Sequence, residues 1–343
     1  MDNITIIGVD LAKHSFQVCA LNRANKVVFN KAITRHKLMA FLLQYPNATI
    51  VMEACASAHH WSRELMQCGL RTQLLPAQHV ASMLRGNKND ANDALAIAEA
   101  SRRPNLHAVQ TKTLEQQDIQ LLLRIRSKTK DQRKDNVNQI RGFLAEYGII
   151  IPKGLSHIGY ELPFILEDAE NRLTPIARAA LSDLLTQHYL LTDKIKQYDQ
   201  RLTVMAQQHP IASLLLRVRG IGPITALAIF ASIGKGIQFK NARQLSAWLG
   251  LVPAHSGTGG VLKLRGMSKR GNVYLRTLLI HGARTVMNWA SRRDDTLSLW
   301  SQSVSNRCGR HKAIVAVANK TARMVWVVLH KGVDALPKHY LSA

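Results

Sequence analysis

Four acidic residues in the first hundred positions have the type and placement to do chemistry together. Asp10 closes the apolar run ITIIGVD, Glu53 closes TIVME, and Asp90 and Asp93 stand three apart in NDAND, just ahead of an alanine-rich segment. A carboxylate at the end of a buried strand lies at the rim of a sheet, and two acids three apart at a helix start project from one face of its first turn. Carboxylates converging from two strands and a helix repel one another unless a cation sits between them. Hard oxygen ligands with open positions suit Mg²⁺ or Mn²⁺, and such ions can activate a nucleophile and stabilise a leaving oxygen in phosphodiester transfer. Each acid alone has an ordinary alternative, Asp90 as a helix cap and Glu53 as a surface residue beyond its strand, so the set carries the inference and no single member does.

The elements that must position these groups follow from the hydrophobic pattern. Three short apolar runs, ITIIGVDLA, SFQVCALN and KVVFNKAI, with residues 22–26 as a hairpin turn, predict consecutive antiparallel strands. A helix follows through Leu38, Phe41 and Leu42, then a buried strand over 49–54, a helix from about 60 to 68 and the strand RTQLLPA. A helical stretch over 78–85, the loop GNKND and a helix built on Ala94, Leu95, Ile97 and Ala98 complete an α/β domain with a mixed sheet. Residues 111–148 contain no Pro and read as one long helix with a basic middle, after which IIIPKGLSHIG reads as a linker. From Leu181 onward, Leu184, Leu191, Ile195, Tyr198, Leu202 and Met205 fall on heptad spacing with His188 as the polar insertion. That seam fits either a helix packed on its own domain or a dimerising coiled coil. Three parts are expected: 1–150, the acidic domain with its long basic helix; 151–208, a linker and coiled-coil helix; and 209–343, a further domain.

The chain carries 46 Lys and Arg against 22 Asp and Glu, a formal net charge of +24, which makes a polyanion the natural partner. The excess is uneven. Residues 211–343 hold 20 basic residues and only three acids, Asp294, Asp295 and Asp334, a field suited to counterion release from nucleic acid. There, LLRVRGIGPITALAIFASIG places Gly220, Gly222 and Pro223 between two apolar helices. The segment is helix-hairpin-helix-like, an arrangement in which backbone N–H groups at a helix start can hold a phosphate. A helix around 245–249, a Gly-rich basic loop from His255 to Gly271 and apolar helices to about 330 follow. Cys19, Cys55, Cys68 and Cys308 form no CxxC pair and no zinc spacing, which argues against a disulfide framework or a structural zinc. The N-terminus enters a strand pattern without a basic leader, and no apolar run reaches membrane-spanning length, so a cytoplasmic protein is expected.

An Asp ending the first strand, a Glu ending a later one and an Asp pair on a following helix is the arrangement of RuvC-like nucleases. The sequence resembles a family that shares it, the DEDD transposases of insertion sequences, family 110, together with the related Piv-type DNA invertases. The resemblance runs through GVDLAKHSF, VMEACASAHHW, RGNKNDANDA, RGIGPITA, WLGLVP and RGMSKRGNVYLR. The form MEACxxAHHW, in place of Glu-Ala-Thr-Gly, looks like the subgroup typified by element 1111.

The resemblance implies a RuvC-like (RNase H-like) α/β N-terminal domain, a helical coiled-coil connector and a mainly α-helical C-terminal transposase domain. It implies a Mg²⁺- or Mn²⁺-dependent enzyme with Asp10, Glu53, Asp90 and Asp93 as catalytic metal ligands, and a nucleophilic serine in a small loop after the Pro of the LxP motif. Pro253 is followed by AHSGTGG, so the matching position is Ser256, with Ser268 as second choice. The family further implies DNA cleavage, strand exchange and rejoining through a phosphoserine-linked intermediate, guided by a non-coding bridge RNA that pairs with donor and target DNA. A homo-oligomer, a dimer of dimers, goes with several active sites acting in one exchange. On that reading Lys88, Arg124, Arg126, Lys128 and Arg133 are expected to contact RNA. Lys263, Arg265, Lys269, Arg270 and Arg276 are expected to contact DNA near Ser256, and Gly220 and Gly222 to hold a phosphate. Two alternatives stand beside it: a RuvC-like metal-dependent endonuclease or junction resolvase without a covalent intermediate, and a non-catalytic nucleic-acid-binding protein.

Overall fold

The computed structural model describes residues 3–83, 89–104, 106–258 and 261–341. They form two compact units, Met1–Thr113 and Leu114–Ala343. The first holds β1 (Ile4–Asp10), β2 (Ser15–Asn22), β3 (Val27–Thr34), α1 (Leu38–Leu42), β4 (Thr49–Glu53), α2 (Ala58–Gln67), β5 (Arg71–Leu75), α3 (Ala77–Ala81) and α4 (Asp90–Ala100). The strands make one sheet in the order β3-β2-β1-β4-β5, antiparallel among the first three and parallel from β1 to β4 to β5. This is the mixed α/β domain that the alternation of elements predicts.

The period of two sorts the strand residues between two layers. Ile7, Val9, Phe16, Val18, Ile50 and Met52 face a core completed by Leu38, Leu42, Trp61 and Leu65 from α1 and α2. Ile6, Cys19, Leu21 and Val51 face the other way, onto Ala94, Ile97 and Ala98 of α4. Gly8 lies on the α4 side, and a Cβ there would come within 2.5 Å of the Ala94 carbonyl oxygen and 2.8 Å of the Ala98 methyl. Its missing side chain, with the alanines opposite, lets the helix lie flush on the central strand.

The second unit holds α5 (Leu114–Glu146), α6 (Leu155–Glu167), α7 (Pro175–Gln208), α8 (Pro210–Leu216), α9 (Pro223–Ile233), α10 (Ala242–Trp248), β6 (Pro253–Thr258), β7 (Val261–Met267), α11 (Val273–Trp289), α12 (Thr296–Cys308) and α13 (Arg310–Lys331). The unit begins with α5, ahead of the division expected after residue 150, because Ile119 and Leu123 of that helix are buried in the core built around α9. The expected linker is non-helical only as far as Gly154, and its LSHIG portion opens α6. The α7 seam packs on α5 of the same chain. Its buried members are Leu181, Leu185, His188, Ile195, Leu202 and Ala206, whereas Leu184, Leu191, Tyr198 and Met205 are only half-buried. The helix carries apolar residues on two adjacent heptad positions, and spacing alone does not choose between them.

Among the described residues, α13 is long and apolar enough to cross a membrane by length and composition, contrary to the expectation that no segment reaches that length. Half of that apolar window is buried, and the helix packs on α10, α11 and α12 as a core element. Lys320 and Arg323 break its apolar run in the sequence, which hides its length from a search for continuous hydrophobicity.

Candidate functional site

Asp10 ends β1 and Glu53 ends the neighbouring parallel strand β4. The register Val9↔Met52 sets the two acids side by side at adjacent strand ends, on the face that α4 covers. Asp90 and Asp93 occupy the first turn of α4. The cap of that helix is Asn89, whose side chain accepts from the Asn92 N–H at 2.8 Å, so Asp90 is not needed as a cap. Ligand oxygens of Asp10, Asp90 and Asp93 all lie within 4.8 Å of one another. Glu53 stands outside this group of three, so the structure brings together three of the four expected carboxylates and leaves the fourth on the adjoining strand. The Cys55 thiol reports on both strand-end acids: burial pushes it up from its ordinary value, and the charges of Glu53 and Asp10 push it further the same way.

Among the described residues, Asp93 Oδ1 is buried and has no hydrogen-bond partner. A buried carboxylate oxygen left unpaired is costly, and a cation placed among the three carboxylates removes that cost at Asp93 together with their mutual repulsion. The all-oxygen donor set fits a hard divalent ion.

Two residues absent from the sequence-based list hold the start of α4 in place. Gln17, the cross-strand partner of Asp10, donates through Nε2 to Asn30 Oδ1 at 2.7 Å, and Asn30 donates through Nδ2 to the Ala91 carbonyl at 2.9 Å. Polar amides at inward positions of β2 and β3, where the alternation calls for apolar residues, are the signal that marks them.

The segment expected as a Gly-rich loop is a β-hairpin, in which Ser256 pairs directly with Lys263 and His255 with Leu264. Directly opposed residues share a face, so Ser256 stands with Lys263 and, two residues on, Arg265, while His255 points to the opposite face. Ser256 is half-buried, and both cations are exposed. The foot of the hairpin is locked by two glycines at positive φ, Gly250 (69°) and Gly271 (85°). A Cβ on Gly250 would overlap the backbone of Arg270, and one on Gly271 would overlap the Trp248 carbonyl. The WLGLVP and SKRGN stretches are therefore the two halves of one backbone clasp. Arg276 is buried beneath it and donates through Nη1 to the carbonyls of Leu249 at 3.1 Å and Arg270 at 3.0 Å. That use corrects its expected place among the exposed DNA-contacting cations. Ser268 sits in the same clasp, its N–H bonded to Val252 O at 2.9 Å.

Comparison with known proteins follows this division. A family model for the DEDD transposases of IS110 matches residues 7–149, which include all four acids. A second, the Transposase IS116/IS110/IS902 family, matches residues 212–297, which include Ser256 and its clasp. The chain is 41% identical over 329 residues to the transposase for insertion sequence element IS1111A of Coxiella burnetii, covering 96% of this chain and 90% of that protein. The chain belongs to the IS110 family of transposases. The transposase is also 38% identical over 330 residues to a probable family 20 transposase of Pseudomonas aeruginosa, covering 96% and 98% of the two chains. It is 22% identical over 292 residues to the pilin gene-inverting protein of Moraxella bovis, covering 80% of each.

The remaining basic candidates of the transposase fall into two groups. Arg124 and Lys128 are exposed on α5, and Lys263, Arg265, Lys269 and Arg270 are exposed on or beside the hairpin. Arg126 instead pairs with Asp199 across the α5/α7 seam, and Arg133 turns its Nη1 toward Thr192 Oγ1 at 3.5 Å in the same seam. Their place in the seam sets these two apart from the solvent-facing cations. Lys88 lies outside the described residues. Gly220 (φ 85°) adopts a left-handed backbone against α11, where a Cβ would come within 3.1 Å of Val286 Cγ2 and 3.2 Å of the Gly282 carbonyl oxygen. Gly222 is exposed at the start of α9 with open space beside it.

Proposed function

We propose that this transposase is an RNA-guided recombinase whose RuvC-like N-terminal unit and serine-bearing C-terminal unit act in one reaction. The observation that carries this reading is the grouping of Asp10, Asp90 and Asp93, with an Asp93 oxygen that is buried and unpartnered among the described residues. The sheet order and the placement of acids at the ends of β1 and β4 and on the helix that follows support the RuvC-like assignment. Asp10, Asp90 and Asp93, joined by Glu53 from the adjoining strand, would hold Mg²⁺ or Mn²⁺. Bound there, the ion supplies Lewis-acid polarisation of the scissile phosphate and stabilises charge on the leaving oxygen.

The chain's own groups do the rest. The Ser256 hydroxyl forms a bond to phosphorus as one strand oxygen leaves, giving a phosphoserine-linked DNA end. The hydroxyl proton is given up and the departing oxygen gains one. Attack by the hydroxyl of the exchanged strand reverses the step and frees Ser256. Lys263 and Arg265 share the Ser256 face, where they steady the negative charge of the phosphate. The clasp at Gly250, Gly271 and Arg276 holds the hairpin in one geometry, which such a reaction requires. Arg124 and Lys128 are the exposed cations for an A-form RNA backbone, and exchange of four strands calls for a dimer of dimers.

The test combines DNA and RNA readouts on one preparation. Full-length protein expressed with the flanks of its gene is expected to co-purify with one discrete RNA from those flanks and to cut donor DNA when Mg²⁺ is added. Cleavage is expected to disappear in Asp10→Asn. Cleavage that survives Asp10→Asn would remove the metal site, and random RNA fragments beside intact cleavage would remove the RNA guide. Cleavage by water with no protein-linked DNA would replace the recombinase with a resolvase-like nuclease.

A further inference from the structure

Next to the hairpin clasp, α5, α9 and the start of α11 enclose a cavity of about 390 Å³ to which nothing above assigns a use. This is the lower range of small-ligand sites, roughly 300–1,000 Å³. Ala228 and Ala231 of α9, both buried, line it with small apolar side chains that leave the space open. Tyr274 contributes an aromatic ring, and Asn272, whose oxygen caps α11, contributes a side-chain amide nitrogen. Arg124 and Lys128, exposed on α5, bring two positive charges to the same cavity.

Each component answers to a part of one ligand. An aromatic ring and an apolar lining suit the face of a nucleobase, an amide suits its edge, and two exposed cations suit the phosphate that follows it. Asp131 also lines the cavity. A carboxylate there disfavours a second phosphate and accepts a hydrogen bond from an N–H on the base edge. We infer that this cavity takes one unpaired nucleotide out of a nucleic-acid strand, base inward and phosphate on Arg124 and Lys128. The inference rests on the nucleic-acid reading proposed above and adds a site that reads an extruded base rather than backbone alone. Asn272 directly follows Gly271 of the clasp and Tyr274 comes two residues later, so the pocket and the base of the Ser256 hairpin share one segment of chain.

Fluorescence anisotropy on the full-length protein tests this with three short duplexes: flush, with a single unpaired adenine, and with an abasic unit at the same bulge. Each is made once in DNA and once in RNA. The bulged duplex is expected to bind about tenfold more tightly than the flush one, the yield of one stacked and hydrogen-bonded base. The abasic bulge is expected to fall back to the flush value. Ser127→Phe, which fills the cavity from a half-buried position on α5, is expected to erase the preference while flush duplex still binds as in wild type. The sugar that shows the preference tells whether the nucleotide belongs to DNA or RNA. Equal binding of flush and bulged duplexes, or a preference that survives the abasic unit or Ser127→Phe, would overturn the pocket and leave the recombinase reading standing. Failure to bind any duplex would overturn both.

Discussion

Gly8 of β1 lies against Ala94 of α4 so closely that a Cβ on Gly8 would come within 2.5 Å of the Ala94 carbonyl oxygen. Asp10 is two residues beyond the first of these and Asp93 one residue before the second, so the contact sets the spacing of the carboxylates. Gly8→Ala must push the helix off the sheet. It is expected to destabilise the protein by about 1–3 kcal/mol and to weaken its response to Mg²⁺ further. Urea denaturation with and without the ion reads both effects, and unchanged values would mean that α4 is placed by something else.

The crowding of three acids predicts an unusual result for Asp93→Asn. Without metal the variant should be as stable as the wild type or more so, because one charge is removed from a group of three close carboxylates. With Mg²⁺ at about a hundred times its dissociation constant, the wild type should gain about 2.7 kcal/mol, and the variant much less. Thermal melts across a Mg²⁺ series decide it. An undiminished gain in Asp93→Asn would rule this residue out as a ligand.

Asn30 is predicted to be a positioning residue. Asn30→Ala removes the bond to the Ala91 carbonyl and the partner of Gln17, at a cost of about 1 kcal/mol. Combined with Gln17→Ala, the loss should be less than additive, since both belong to one hydrogen-bonded chain. Full additivity in denaturation midpoints would show that the two act separately.

Asp295 gives the second unit an acid sensitivity. Burial pushes its carboxyl up, but hydrogen bonds from the Ser298 N–H and hydroxyl and from Arg219, whose Nη1 lies 2.8 Å away, together hold it below the ordinary value. Its stabilising contribution is therefore fully present above the unfolded carboxylate range, about pH 4, and is lost as pH falls through the lower folded value. Asp295→Asn should be less stable than wild type at neutral pH, because Arg219 is buried, and the gap should narrow on acidification. A constant gap from pH 7 to the acid transition would contradict this. Arg219 also donates to the His339 carbonyl at 3.1 Å, so the C-terminal segment should loosen in the same variant.

The sheet was legible because β1, β2 and β4 alternate or run apolar with clear turns between them, and the acids at strand ends follow from the same pattern. What sequence could not supply was close approach. Gly8, Gly250 and Gly271 matter for what backbone they touch, and no periodicity encodes that. Arg126, Arg133 and Arg276 look like any other cation in a basic chain, yet one is ion-paired in a seam, one faces the same seam and one is buried under two carbonyls. The hairpin around Ser256 was hidden by its glycines, which read as loop. The fourth acid, Glu53, has the expected strand-end position but stands apart from the group of three, a difference of side-chain placement that spacing does not resolve.

The proposed joint action of the carboxylates and Ser256 is tested most directly by looking for a protein-linked DNA end and mapping it. Full-length transposase expressed with the flanks of its gene is incubated with labelled donor DNA and Mg²⁺ and digested, and any nucleotide-bearing peptide is sequenced by mass spectrometry. The expected result is a single phosphoserine at Ser256, absent from Ser256→Ala and from Asp93→Asn. An adduct that persists in Ser256→Ala, or donor cleavage with no linked peptide at all, would contradict it.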